Sequence, residues 1–330
     1  MTRNVNILSI VLLVLIQVSC IREDEPTCID WTEGRKDLGF SINENIGERK
    51  VLIIGIDGFR PDAMRADRTP FLHKLSLEGS TYFTNRNKVE YYSSTGPNWS
   101  SLLTGVHWCK HQVTKSNDYS GNRLQEFPHF FKYIEEADSS IKTASFVRWT
   151  PINQNITREH ADYANFTGSS DVKVYNAALD MLLKQEPINP DILFLHFIDL
   201  DAAGHGFGFH PDVPEYAKAL ALIDGYVSGL ISVIESKRKI GEDWMIFVVS
   251  DHGGDGREHY DFSKDSNSHT IFFVNHPIIP FSHSYVSSQT DLVPTIMDFM
   301  GIVSEEFISK SDGVSLIDHV VKIGFTDSNP

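Results

Sequence analysis

Aspartate and histidine side chains occur in two short segments whose spacing suits metal binding. Asp201 and His205 are separated by Ala-Ala-Gly, small residues that predict a turn from which both side chains reach one ion. Asp251 and His252 are adjacent and are followed by two glycines, which let the backbone turn sharply and leave room for a ligand. Zinc-type sites use about three such ligands each and keep one position open for substrate. With Asp57 and a later histidine, the sequence has enough ligands for two metal sites.

Two histidines compete for the last place in this ligand set. His259 and His269 both follow Asp251-His252 and precede the next apolar run, and either could complete the set. The remaining histidines are predicted to have other roles. His196 lies inside an apolar run, which is typical of a core residue. A structural or solvent-facing role is predicted for His107, His111 and His210.

Three consecutive hydroxyl residues, Ser93-Ser94-Thr95, precede a segment that is typical of a helix start. Gly96-Pro97 can turn the chain there, and the residues that follow favour a helix. A helix N-terminus offers free N–H groups and a favourable dipole to an anionic phosphoryl group. A hydroxyl bound to a metal ion is activated as a nucleophile. Spacing does not separate the three hydroxyls, and helix capping alone would explain all of them.

Continuous apolar runs alternate with helical patterns along the chain, which predicts an α/β fold. The fold class is a doubly wound, mostly parallel sheet with helices on both faces, because strands buried on both sides have continuous apolar runs. The predicted strands are 50–56, 141–147, 191–198, 244–250 and 270–274, and the predicted helices are 70–78, 124–136, 172–185 and 215–235.

The candidate ligands directly follow three of these predicted strands. Asp57 follows the first, Asp199 and Asp201 follow the third, and Asp251-His252 follows the fourth. In open α/β sheets, ligands bind beyond the carboxyl ends of the strands. One such aspartate would more often be a helix cap or a turn residue. Their joint placement predicts a single site at one edge of the sheet.

Length and charge limit the classes of protein to which the chain can belong. The 330 residues, 41% hydrophobic, are enough for one full-sized core, and we expect a single catalytic metallohydrolase domain over 49–330. A formal net charge of −15 argues against binding to a nucleic-acid duplex, because such proteins display a basic face. We expect a small-molecule partner instead.

The N-terminal residues are typical of an export signal. Arg3 precedes an apolar stretch over 7–16, and Ser19-Cys20 resembles the end of a bacterial lipoprotein signal, although Gln17 departs from that pattern. We therefore expect a signal over 1–20 and a tether over 21–48. The protein would be exported to the periplasm or cell surface, with a lipid on Cys20 as its membrane contact; a plain cleaved signal is the alternative. Cys28 and Cys109 could pair in an oxidising compartment.

Four ordered motifs resemble the alkaline phosphatase superfamily, and within it the type I phosphodiesterases and nucleotide pyrophosphatases. They are Ile-Gly-Ile-Asp57-Gly-Phe-Arg-Pro-Asp, Thr95-Gly-Pro-Asn-Trp-Ser-Ser-Leu-Leu-Thr-Gly, Asp201-x-x-x-His205 and Ser-Asp251-His252-Gly-Gly. The resemblance extends to a helix start over 290–296. It implies the alkaline phosphatase-like fold.

The resemblance also implies roles for individual residues. Two divalent metal ions are expected, and zinc is favoured because imidazole ligands suit it. Thr95 is the implied nucleophile, and Asn117 is the implied ligand of a phosphoryl oxygen. His259 is preferred over His269 as the last metal ligand. The implied sets are Asp57, Thr95, Asp251 and His252 for one ion, and Asp201, His205 and His259 for the other.

The predicted function is the hydrolysis of phosphate esters, as a phosphodiesterase or nucleotide pyrophosphatase. A phosphomonoesterase is the alternative within the same chemistry, with Arg148 and Arg257 as candidates for contacting the extra negative charge. The sequence has no Cys-x-Pro-x-Arg segment, the sulfatase signature, near Thr95. This argues against sulfate ester hydrolysis as the main activity. A surface lipoprotein with an inactive site is the alternative from another class.

Overall fold

The apolar run that begins at Arg49 forms strand β1 (Arg49–Ile56), which lies in the middle of a seven-stranded sheet. The computed structural model describes residues 49–168, 170–184 and 186–318. Successive β1 side chains enter opposite cores, with Val51 and Ile53 on one face and Leu52 and Ile54 on the other. Burial on both faces is the reason for the continuous apolar run.

The sheet is mixed, with a parallel centre and one antiparallel edge. Its order is β2-β7-β6-β1-β5-β3-β4. The parallel pairs are β1 with β5, β1 with β6, β3 with β5, and β3 with β4; β7 is antiparallel to both β6 and β2. The predicted doubly wound, mostly parallel sheet is therefore confirmed. The other strands are β2 (Thr81–Lys88), β3 (Thr143–Val147), β4 (Tyr163–Phe166), β5 (Ile192–Phe197), β6 (Asp243–Ser250) and β7 (His269–Asn275).

Two strands, β2 and β4, were not predicted, and both lie at edges of the sheet. An edge strand exposes part of its surface, so it lacks the continuous apolar run that marks the central strands. In β2, for example, Asn85 and Arg86 are exposed. The five predicted strands are all present, with ends displaced by at most a few residues.

Helices cover both faces of the sheet. On one face lie α2 (Thr95–Thr104), α4 (Phe130–Ala137) and α9 (Leu292–Met300); on the other lie α1 (Pro70–Ser76), α5 (Asp171–Lys184) and α7 (Pro214–Arg238). The remaining helices are α3 (Trp108–His111), α6 (Asp199–Phe207), α8 (Asp265–Ser268) and α10 (Glu305–Lys310), and short 3-10 or π turns occur at Pro61–Ala63, Ile152–Thr157, Arg158–His160 and Gln289–Asp291.

The predicted helix over 124–136 begins too early. Helix α4 starts only after Pro128, because proline disfavours helical backbone in the residue before it. His129 then caps the helix, and its Nδ1 accepts from the backbone N–H of Phe131 at 3.0 Å.

Helix α7 is the one helix in the described ranges with the length and composition to cross a membrane. Its apolar side packs against α1, α5 and the sheet in the second core. These contacts are those of a core helix in a folded domain.

Residues 1–48 and 319–330 lie outside the described residues. The export signal, the tether, the lipid on Cys20 and the pairing of Cys28 with Cys109 therefore stay predictions.

Two glycine substitutions in helices should change stability in opposite directions. Gly105 ends α2 with φ of +73°, and an added Cβ would lie 3.2 Å from the side chains of Val293 and Phe307. Gly105→Ala should lower the free energy of unfolding by roughly 1–2 kcal/mol, because left-handed backbone strains a residue that has a side chain. Gly225→Ala, exposed in α7 with open space around it, should stabilise by about 0.5–1 kcal/mol. Urea denaturation of both variants checks this, and shifts of the same sign would contradict it.

Candidate active site

The ends of three neighbouring parallel strands bring the candidate ligands together. Strands β5, β1 and β6 are adjacent, and their carboxyl ends carry Asp201, Asp57 and Asp251-His252. Because these strands run in the same direction, the residues that follow them meet at one edge. The candidate ligands therefore form one site at this edge of the sheet, as the sequence predicted.

One group of potential ligands consists of Asp201, His205 and His259, whose ligand atoms lie within 4.8 Å of one another. The predicted turn at Asp201 is wrong: the segment is helix α6, in which residues four apart lie on one face. His205 Nε2 is 3.6 Å from Asp201 Oδ1. Because the residues between them include alanine and glycine, which permit helix as well as turn, composition did not separate the two structures.

A second group consists of Asp57, Asp201 and His252, again within 4.8 Å. His252 Nε2 lies 3.4 Å from Asp57 Oδ1, 3.2 Å from Asp251 Oδ2 and 3.4 Å from Thr95 Oγ1. The other three members of the implied set, Asp57, Thr95 and Asp251, therefore surround the Nε2 atom of His252. Asp201 belongs to both groups, whereas the resemblance assigned it to one ion.

The three imidazoles are oriented in the same way. The Nδ1 atoms of His205, His252 and His259 lie 2.7–2.8 Å from backbone carbonyl oxygens of Arg257, Gly253 and Ser93, respectively. A carbonyl accepts only, so Nδ1 carries the proton and Nε2 keeps a lone pair for an ion. Burial lowers the pKa of His259 to about 4 and that of His252 well below its usual value, which keeps both rings neutral.

Unpartnered carboxylate oxygens show that the site fits divalent cations. Asp57 Oδ1, Asp201 Oδ1 and Asp251 Oδ2 are buried and have no hydrogen-bond partner among the described residues. Burial raises the pKa of Asp57 to about 7, and burial with mutual repulsion raises those of Asp201 and Asp251 well above their usual range. Buried carboxylates need counter-charges. Aspartate with imidazole is a donor set that suits zinc.

Gly58 allows the two halves of the site to approach. Its φ is +73°, and a Cβ at this position would lie 2.9 Å from the Cα of Asp201. Its N–H also donates to Asp251 Oδ1 at 3.2 Å. A side chain here would therefore push α6 away from the strand ends.

Thr95 is the first residue of α2 and is 8% exposed. Its hydroxyl faces His252, as given above. Ser93 instead donates from Oγ to the carbonyl of Asn267 at 2.7 Å. Ser94 precedes the helix as its N-cap residue and has extended backbone. The structure therefore separates the three hydroxyls, which spacing could not do.

A cavity of about 700 Å³ is lined in part by Ser93 and Ser94, which directly precede Thr95. Asn117 lies in its wall, while the neighbouring Ser116 Oγ accepts from the N–H of Gly96 at 3.4 Å. The loop that contains both residues thus passes over the start of α2. The lining residues are Tyr91, Tyr92, Ser93, Ser94, Thr114, Lys115, Ser116, Asn117, Tyr260, Asp261, Phe262 and Ser263.

His269 lies outside both ligand groups. Its ring contacts Asp265, Ser268 and Arg86 at the start of β7. His259 therefore has the geometry of the last ligand, and His269 does not.

The two arginine candidates differ in their surroundings. Arg148 pairs with Asp171 at 3.0 Å and with Asp199 at 2.7 Å, so its charge is used in holding α5 to α6. Arg257 is exposed and contributes its carbonyl to His205. Neither side chain lines the cavity beside Thr95.

The histidines assigned to structural roles are placed accordingly. His107 is buried 2.8 Å from Glu90, and His111 is buried 2.9 Å from Ser101 of α2. His210 is half exposed and lies 3.9 Å from Asp212.

Sequence reasoning missed two buried amides that join the site's parts. Gln289 donates to the carbonyls of Asp251 at 2.5 Å and Ser250 at 3.2 Å. Asn98 of α2 accepts from the N–H of Glu90 at 2.8 Å. The only sequence signal for Gln289 is its position next to the motif over 290–296.

Comparison with known proteins identifies the family. The sequence model described as "Type I phosphodiesterase / nucleotide pyrophosphatase" matches residues 51–265. The chain belongs to this family. The resemblance found in the sequence is therefore confirmed at the level of the branch.

Individual relatives agree with this result. Ectonucleotide pyrophosphatase/phosphodiesterase 2 of Saccharomyces cerevisiae is 23% identical in an alignment 234 residues long, which covers 62% of this chain and 47% of the yeast protein. A human bis(5'-adenosyl)-triphosphatase is 23% identical in an alignment 222 residues long, which covers 62% of this chain and 47% of the human protein. The chain thus spans about half the length of these curated relatives.

A solved structure shows the same fold. It is an inactive threonine-to-alanine variant of murine ectonucleotide pyrophosphatase/phosphodiesterase 5 in complex with AMP. The TM-score is 0.60 with 14% sequence identity, and the match covers 82% of this chain and 100% of the murine chain.

Metal-free protein should lose stability as the pH rises from about 7.5 to about 9. The folded-state pKa values of Asp57, Asp201 and Asp251 lie above those of unfolded aspartate, so the folded state holds protons that the unfolded state has released. Above about pH 7.5 the histidines are neutral in both states and contribute little. Thermal unfolding in chelator should show a Tm that falls with pH, and excess zinc should abolish the fall.

Asp57→Asn serves as the control for this measurement. Replacing one carboxyl group with a neutral amide should flatten the pH dependence of the chelated protein. A chelated wild-type protein whose Tm is constant or rises over this range would contradict the assignment.

Proposed function

We propose that the protein is a metal-dependent phosphoric ester hydrolase that cleaves phosphate diesters, with Thr95 as the nucleophile. The observation that carries this proposal is the position of Thr95. Thr95 is the first residue of a ten-residue helix, and its hydroxyl faces His252. Two groups of potential metal ligands that share Asp201 lie beside it. A nucleophile, an anion-binding helix start and counter-charge sites are the parts that phosphoryl transfer needs.

In the proposed reaction, Thr95 Oγ attacks phosphorus and the bond from phosphorus to the leaving oxygen breaks. The N–H of Thr95, at the positive end of the α2 dipole, and Asn117 in the loop above it would bind the phosphoryl oxygens. Bound divalent ions would favour ionised Thr95 and stabilise charge on the leaving oxygen. Water then attacks phosphorus, breaks the Thr95 O–P bond and restores the hydroxyl. The products are an alcohol and a phosphate monoester.

The relatives support a nucleotide-like substrate and a threonine nucleophile. The murine protein binds AMP and is inactive as a threonine-to-alanine variant, and the human relative is named for a dinucleoside triphosphate. The cavity beside Thr95 has aromatic walls, with Tyr91 and Phe262 ring centroids 5.6 Å apart. Stacking on such walls favours planar groups such as nucleobases.

The identity of the ions and the location of the protein complete the proposal. Asp201, His205 and His259 would hold one ion, and Asp57, Asp251 and His252 with Thr95 would hold the other. Zinc is favoured, because three imidazole nitrogens are available.

The protein would act outside the cytoplasm, anchored by a lipid on Cys20.

Replacing the nucleophile should abolish diester hydrolysis. Zinc-loaded wild-type protein should hydrolyse bis-p-nitrophenyl phosphate in preference to p-nitrophenyl phosphate, measured by release of p-nitrophenol. Thr95→Ala should reduce kcat by roughly a thousandfold or more, because the covalent step is lost. Thr104→Ala, at the other end of α2 and also buried, is the matched control and should keep most of the activity.

The other outcomes separate the alternatives. A preference for the monoester would indicate a phosphomonoesterase. Turnover of both substrates that is indifferent to Thr95→Ala would contradict the mechanism, and no turnover of either would favour the inactive binding protein.

The aromatic cavity should recognise the group that stays on phosphorus. Phe262→Ala should raise KM for the p-nitrophenyl ester of thymidine 5'-monophosphate by about tenfold, the value of one lost stacking contact. Methyl p-nitrophenyl phosphate has the same leaving group but keeps only a methyl group on phosphorus, so its KM should not change. Tyr175→Ala removes a stacked ring on Tyr226, far from the cavity, and is the control. Equal effects on both substrates would exclude a specific contact.

A further inference from the structure

The two oxygens of the Asp57 carboxylate have different surroundings. Oδ2 accepts from His196 Nε2 at 3.1 Å and from Trp99 Nε1 at 3.2 Å. Oδ1 has no hydrogen-bond partner among the described residues and faces His252 Nε2 at 3.4 Å. One oxygen is thus held by protein donors, and the other is left for the candidate metal centre.

The two donors come from different elements and are both fully buried. Trp99 is in α2, one helical turn after Thr95, and His196 is in β5. Their ring centroids are 5.0 Å apart, with the ring planes at 87°. Each ring therefore limits the movement of the other, and the donors stay aimed at Asp57.

Strand β1 makes space for this arrangement at Gly55. Gly55 pairs with His196 across the parallel ladder, two residues before Asp57. An added Cβ at Gly55 would lie 2.4 Å from Cη2 of Trp99. The absence of a side chain here is what lets the indole reach the carboxylate.

Two donors on a single oxygen restrict rotation of the carboxyl group. Without them, Asp57 could turn Oδ1 away from His252, because a terminal carboxyl torsion is broad. Hydrogen bonds to metal-binding carboxylates typically change metal affinity by about 10–100-fold. The indole bond also ties α2, and with it Thr95, to the same carboxylate.

We propose that Trp99 and His196 are positioning residues that hold Asp57 Oδ1 toward the metal centre. Through Trp99, they also set the position of the nucleophile helix relative to that centre. The inference rests on the proposed metal-dependent function, and its main test measures metal binding instead of turnover.

Trp99→Phe removes the N–H donor and keeps an aromatic ring. Zinc affinity, measured by competition with a chromophoric chelator, should fall by about 10–100-fold. Hydrolysis of bis-p-nitrophenyl phosphate should lose kcat with little change in KM, because the diester itself does not touch the indole. Trp244→Phe is the matched control: this buried indole donates to Glu242 at 2.7 Å, at the opposite end of the sheet, and its loss should leave zinc affinity unchanged.

His196 provides a second, independent variant. His196→Leu should weaken zinc binding similarly, and His196→Gln, which retains an N–H donor, should restore part of the affinity. His276→Leu is the control, because His276 is also buried beside an aspartate, 2.7 Å from Asp243 at the far end of β6. Circular dichroism and thermal unfolding in chelator establish that each variant is folded.

Folded Trp99→Phe or His196→Leu protein that binds zinc as tightly as wild type would overturn the inference. So would a wild-type protein that binds no divalent ion. Wild-type protein that binds zinc but does not hydrolyse either nitrophenyl ester would overturn the proposed function alone, since the affinity comparison among variants still decides the role of Trp99 and His196. If one variant fails to fold, the other decides the question.

Discussion

Mutual repulsion among buried carboxyl groups is the constraint on which the site depends. Asp57, Asp201 and Asp251 lie together at the ends of β1, β5 and β6, each with an oxygen that no described residue satisfies. Such a cluster is costly in a protein interior unless cations neutralise it. Three adjacent parallel strands and the helices that follow them place these carboxyl groups together at one edge of the sheet. Metal affinity and folding stability are therefore linked at this edge of the sheet.

The groups around the carboxylates are arranged by backbone as much as by side chains. Each of the three candidate imidazole ligands donates from Nδ1 to a main-chain carbonyl, so loop geometry sets the direction of each lone pair. One of these carbonyls belongs to Ser93, two residues before Thr95. The loop that carries His259 is thereby tied to the segment that carries the candidate nucleophile, and the second ligand group reaches Thr95 through His252. Ligand geometry and nucleophile position are thus parts of one hydrogen-bonded structure.

The cavity that we propose selects the substrate lies outside the strand ends that carry the candidate metal ligands. The cavity beside Thr95 is built by loops around Tyr91, Lys115 and Phe262. Loops tolerate substitution better than the strands that carry the ligands. One fold can host different substrates when the loops around its site differ.

The sequence by itself determined the central strands, because a strand buried on both faces has a continuous apolar run. It also determined the edge of the sheet where the ligands meet, because polar residues follow those runs. Four ordered motifs determined the family. It did not determine the edge strands β2 and β4 or the start of α4 after Pro128. The family resemblance had already favoured His259 over His269, and Thr95 over the two preceding serines. Tertiary structure placed His259 in one group with Asp201 and placed Thr95 beside His252. It alone joined Asp57 to Trp99 and His196. These contacts link residues 42 and 139 positions apart, and local periodicity reports which face of an element is buried but not which distant side chain meets it.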